Sequence, residues 1–140
     1  MTNISTAPDL LARTLALIGQ PARIQILFAL EGGEACVCHL EAVLGMRQAS
    51  ISQHLMLLRD AGLVETRREG RNIFYRITRP ELVEILRQAA ALAGLDPAAL
   101  ANLPRSPVAG CPCPACNPGL DPDLSCKTVR QQNKKMKIGA

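Results

Sequence analysis

Two adjoining stretches constrain the fold more than any composition figure. "QASISQHLMLLRDAG", residues 48–62, repeats its apolar residues every three or four positions. "LVETRREGRNIFYRI", residues 63–77, abandons that period for β-branched and aromatic residues on either side of a central Glu69-Gly70-Arg71. The first is the mark of an amphipathic helix and the second of a two-stranded hairpin with Gly70 in its turn. A glycine at the junction, Gly62, suits the left-handed residue that closes a helix. Whatever the chain builds must therefore seat a helix directly against a hairpin.

The segments before and after are helical. Pro8 and Asp9 open a helix rich in Leu10, Leu11, Leu15 and Leu17 that ends near Gly19. Pro21 begins a second, "ARIQILFAL", which stops at Gly32-Gly33. "HLEAVLG" supplies a short helix and a Gly45 turn before Gln48, the arrangement a helix-turn-helix needs. Thr78 and Glu81, three apart, have the spacing of a capping box for a last helix, "ELVEILRQAAALAG". Its Leu82, Ile85, Leu86, Ala89 and Leu92 make a wide apolar stripe, and a partner subunit is the expected cover. With only three aromatics in 140 residues the core must be aliphatic, which favours helices. The fold class is thus mainly α with a β-hairpin, a winged helix-turn-helix. The domain spans residues 1–100.

Residues 101–140 differ in kind. Six prolines, three glycines and four of the six cysteines fall there, with almost no apolar period, so a flexible tail is expected unless a ligand orders it. No apolar run approaches the roughly 18 residues of a membrane span, and no signal pattern opens the chain. A cytoplasmic protein without a membrane partner is expected. In that compartment cysteines are thiols or metal ligands before they are disulfides.

Charge points to a polyanion. The formal net charge of +4 is unevenly spread: residues 47–79 carry +4, between mildly acidic flanks of −2 each. With Ile51, Leu55 and Leu58 turned inward, the early outward face of the third amphipathic helix is small and polar. Gln48, Ala49, Ser50, Ser52 and Gln53 could sink into a major groove, where a glutamine amide matches adenine's edge. Arg67, Arg68 and Arg71 near the hairpin tip, and Arg76 behind them, suit phosphate or the minor groove. Double-stranded DNA is the expected partner.

These pieces, above all "CVCHL", "SISQHLMLLRDAGLV" and "REGRNIFYRI", resemble the ArsR/SmtB family of bacterial metal-responsive repressors over roughly residues 8–95. The resemblance implies a homodimer paired through its first and last helices that leaves its operator when metal binds. It places Ser52 and His54 in the recognition helix, where His54 at the edge of the buried side reads as a hydrogen-bonded structural residue. Arg47 stands where the family often has a capping Ser or Thr. The cap is then weak or supplied elsewhere, and Arg47 is available to phosphate.

The effector is read from thiols. Cys36 and Cys38 lie at a helix start, where backbone N–H groups favour thiolates, and soft sulfur donors select thiophilic ions. In a regular helix two such residues point about 200° apart, so shared chelation would unwind the first turn and disturb the helix leading to the recognition helix. In relatives with "CVC" here the ion is typically arsenite, antimonite, cadmium or lead. The third cysteine of the arsenic pattern is replaced by Glu41, residues 1–35 lack the cadmium pattern's cysteines, and the last helix lacks histidines for a zinc site. The remaining thiols come from the tail: Cys111, Cys113, Cys116 and Cys126, which could close over Cys36 and Cys38 or form a site of their own. About 15 flexible residues span roughly 20 Å on average, so reach is sufficient. Arsenite or antimonite is the expected effector, with cadmium, lead or zinc, or a thiol-redox switch, as the alternatives. No organic cofactor is expected. An oxidoreductase would need a βαβ context this chain lacks, so the chain is not expected to be an enzyme.

Overall fold

The computed structural model describes residues 6–100. Five helices of eight residues or more and a small sheet follow in the order α1 (Ala7–Ile18), α2 (Pro21–Leu30), β1 (Ala35–Cys36), α3 (Val37–Leu44), α4 (Gln48–Asp60), β2 (Val64–Glu69), β3 (Asn72–Ile77) and α5 (Glu81–Leu92), with a final turn α6 (Pro97–Leu100). The aliphatic core lies where α2, α3 and α4 meet the sheet. Ile26, Leu27, Leu40, Ile51, Leu55 and Leu58 are fully buried there, with Val64 from the hairpin and Leu82, Val83 and Leu86 from α5 around them.

The junction between α4 and the hairpin forms as its residues dictate. Gly62 adopts φ +76, its N–H donates to the Arg59 carbonyl, and the Leu63 N–H donates to the Leu58 carbonyl at 2.9 Å. That pair of bonds is a Schellman motif, which meets the helix's last carbonyls and turns the chain straight into β2. The hairpin pairs Glu69 with Asn72 and Val64 with Ile77. Its two-residue turn puts Gly70 at φ +58 in the first central position, the place where such turns need glycine.

Three details differ from expectation. The sheet has three strands in the order β1-β3-β2, because Ala35 and Cys36 pair with Tyr75 and Phe74. Thr78 and Glu81 form no capping box: the N-cap of α5 is Pro80 and receives no side-chain bond. The Thr78 hydroxyl donates instead to the Gly62 carbonyl at 2.6 Å, and its N–H to the Leu63 carbonyl, so both its donors tie the end of β3 back to the start of β2. A capping box does occur at α1, where Thr6 and Asp9 exchange bonds. Finally, the apolar stripe of α5 divides in two. Leu82, Val83, Leu86 and Ala90 are buried, whereas Ile85 and Leu92 are 47% and 91% exposed. Leu10, Leu11 and Leu15 of α1 are likewise exposed.

Candidate nucleic-acid interface and effector site

α3, the turn at Gly45 (φ +67) and α4 make the helix-turn-helix. Burying Ile51, Leu55 and Leu58 turns Gln48, Ala49 and Gln53 to solvent, with Ser50 and Ser52 half-buried beside them. Arg47 is the N-cap of α4, in extended backbone, exposed and making no capping bond with its side chain. The orientation of α4 is fixed from behind. Arg23 of α2 donates through Nε to His54 Nδ1 at 3.2 Å and through Nη1 to the Leu17 carbonyl at 2.8 Å. One guanidinium thus joins the end of α1 to the recognition helix. Burial, and then the charge of Arg23, push the His54 imidazole below its ordinary pKa.

The wing arginines are not equivalent. The Arg67 Nε donates to both carboxylate oxygens of Glu34, at 2.8 and 3.1 Å, and its Nη1 to Glu69 at 3.0 Å. Its guanidinium lies 4.9 Å from the centre of the Phe74 ring. The bond from Arg67 holds the Glu34 carboxyl below the usual carboxylate range. Arg76 is paired with Glu65. Arg68 donates to the neutral carbonyl of Gly70 at 3.1 Å, and Arg71 is exposed in the turn itself. Among the described residues Arg68 and Arg71 are thus exposed with no carboxylate ion pair, while Arg67 is already oriented by two carboxylates. Sequence reasoning missed Glu34 and Arg23, whose partners lie 33 and 31 residues away. No local spacing could have signalled either.

The thiols occupy a joint. Cys36 ends β1, paired opposite Phe74, and is also the N-cap of α3; Cys38 is the second residue of that helix. Both are buried. Cys36 has extended backbone (φ −88, ψ 166), which corrects the expectation that both cysteines stand on a helix 200° apart. Only Cys38 belongs to the helix, because pairing with β3 holds Cys36 in a strand. Among the described residues no group of three or more His, Cys, Asp or Glu side chains is arranged to hold a metal ion. Cys111, Cys113, Cys116 and Cys126 lie outside the described residues. Two thiols suit a soft ion in kind and fall short in number.

Residues 20–66 match the family described as bacterial regulatory protein, arsR family. A biofilm growth-associated repressor of Agrobacterium fabrum is 39% identical over 92 residues, spanning 66% of this chain and 76% of that protein. The chain belongs to the arsR family. Among solved structures it is similar to the transcriptional repressor BigR from Xylella fastidiosa, with TM-score 0.57 and 32% identity over 66% of this chain and 96% of that one. The arsenic resistance transcriptional regulator ArsR1 of Pseudomonas putida is 46% identical over a shorter stretch, 40% of this chain and 43% of that protein. The arsR-family chain is accordingly a helix-turn-helix, DNA-binding transcriptional repressor rather than an enzyme, and its nucleic-acid partner is double-stranded operator DNA. No helix among the described residues is long and apolar enough to cross a membrane.

Proposed function

We propose that this repressor is released from its operator by arsenite or antimonite held on the thiolates of Cys36 and Cys38. The observation that carries the reading is the place of this thiol pair, one in the strand beside the wing and one in the first turn of the helix-turn-helix. Both thiols are buried, so an ion must open β1 or the start of α3 to reach them. Any such movement favours one conformation over another, and the ion changes DNA affinity by its differential affinity for the two. Completion of a three-sulfur site falls to Cys111, Cys113, Cys116 or Cys126 in residues 101–140. A fourth sulfur would favour cadmium, lead or zinc over arsenite.

In this reading Gln48, Ala49, Ser50, Ser52 and Gln53 face the major groove, Arg47 meets phosphate at the start of α4, and Arg67, Arg68 and Arg71 serve the wing. The working form is a cytoplasmic homodimer joined through α1 and α5. The similarity to an arsenic resistance transcriptional regulator supports the choice of metalloid.

The test is a gel-shift titration on the protein's own promoter with arsenite, antimonite, cadmium, lead and zinc in parallel. Wild-type protein should release DNA with arsenite or antimonite first, and Cys36→Ser should stay bound. A chain truncated after residue 104 should respond weakly. If it responds like the intact protein, the tail ligands are wrong; if the wild type keeps its DNA at saturation with every ion, the sensor reading fails.

A further inference from the structure

The thiols and the wing are joined by more than the sheet. Glu34 lies immediately before β1, two residues ahead of Cys36. Opposite Cys36 in β3 is Phe74, which pairs with Cys36 on one flank and with Arg67 on the other. The Arg67 guanidinium rests over that ring and binds Glu34. Cys36, Phe74, Arg67 and Glu34 thus close a loop of contacts between the thiol site and the wing.

Fold stability is a poor explanation for this loop. The Arg67 and Glu34 side chains are 49% and 33% exposed, and exposed pairs contribute little. What three partners on one guanidinium do achieve is a fixed direction. The segment carrying Glu34 also has open space on one side. Gly33 precedes it at φ +129, in open surroundings, and a cleft of about 430 Å³ bounded by Leu30, Gly33, Glu34, Arg76, Pro80 and Arg87 leaves one side of it unpacked.

We propose that Glu34 is the positioning residue that transmits occupancy of the Cys36/Cys38 site to the DNA-contacting wing, by carrying Arg67 with β1 when the thiols move. This rests on the effector reading above. In the ligand-free repressor Glu34 aims Arg67 along the wing. When an ion draws the sulfurs together, β1 and Glu34 are displaced as a unit and Arg67 leaves its register with the DNA backbone.

The experiment compares full-length wild type, Glu34→Gln and Glu69→Gln. Operator affinity is measured by fluorescence anisotropy with and without arsenite, and arsenite uptake separately by mass spectrometry. Glu34→Gln should take up arsenite with wild-type stoichiometry and, with Arg67 no longer aimed from the β1 side, bind operator without arsenite more weakly than wild type. Its arsenite-induced loss of affinity should shrink by roughly tenfold, a change within the span of ordinary allosteric couplings. Glu69→Gln removes the other carboxylate on Arg67, one not attached to β1, and should respond as wild type does. The inference is overturned if Glu34→Gln is released like wild type, if both variants lose the response equally, or if Glu34→Gln no longer takes up arsenite. A wild type that ignores arsenite overturns the effector reading and this inference with it. A responsive wild type beside an equally responsive Glu34→Gln overturns this inference alone.

Discussion

His54 shows how one side chain in a DNA-reading helix can be committed to structure. Its Nδ1 accepts from Arg23, so the neutral ring carries its proton on Nε2, a tautomer set by the bond itself. Protonation would remove the acceptor and place a second cation beside Arg23. The imidazole's pKa is accordingly lowered by burial and by Arg23, and the sign of the consequence follows. A base with a folded-state pKa below its unfolded value leaves the unfolded chain holding more protons in that range. The stability is therefore whole above the unfolded value, near 6.5, and is lost as pH falls through the lower folded value. The thermal unfolding midpoint of wild type should drop between about pH 7 and about pH 5 by more than that of His54→Gln, whose amide oxygen can accept the same bond without titrating. Parallel curves would show that the Arg23–His54 contact is not what ties α2 to the recognition helix.

At the scale of elements the weight falls on the joint between α4 and the wing. Gly62 and Leu63 cap the helix, and Thr78 then fastens the far end of the hairpin onto the same two residues. Thr78→Val keeps the shape of the side chain and deletes the hydroxyl. It should cost about 1 kcal/mol in urea unfolding, the ordinary contribution of one such bond. It should also weaken operator binding, because the wing's base is loosened. No change in either measurement would mean that the cap alone sets the wing. The same joint explains what could be read beforehand. The α4 stripe, the Gly62 cap and the Gly70 turn are local patterns, and each forms as its spacing predicts. Thr78 and Glu81 also have a local pattern, and it misleads because carbonyls 15 and 16 residues earlier claim both Thr78 donors. β1 is two residues long, and its existence depends on β3, some 40 positions away, so no period could announce it. For the candidate site, "CVC" was legible as a thiol pair. That Cys36 is a strand residue facing Phe74, and that Glu34 holds Arg67, are facts of tertiary pairing.

For the whole molecule, the open question of physics is what covers α1 and the outer side of α5. α1 has a good start in its Thr6–Asp9 capping box, yet Ile18 is its only fully buried residue. Twelve residues held by so little packing are marginal as a helix in water. Leu10, Leu11 and Leu15 on α1, with Ile85 and Leu92 on α5, remain exposed in the single chain. The proposed homodimer answers this by burying both helices in one two-fold interface, so that every side chain counts twice. Covering a leucine is worth about 2 kcal/mol, and twice that is roughly a thousandfold in the dimer dissociation constant. Leu15→Glu should therefore convert the protein to monomer at micromolar concentration in sedimentation experiments, with Ile85→Glu doing the same from the other helix. Operator affinity should fall in step, since a monomer holds one recognition helix and a paired site needs two. Because α4 and the wing contribute neither residue, a short half-site fragment at high protein concentration should still be bound. Should Leu15→Glu sediment as the wild type does, α1 is not in the interface, and its exposed leucines need a different partner.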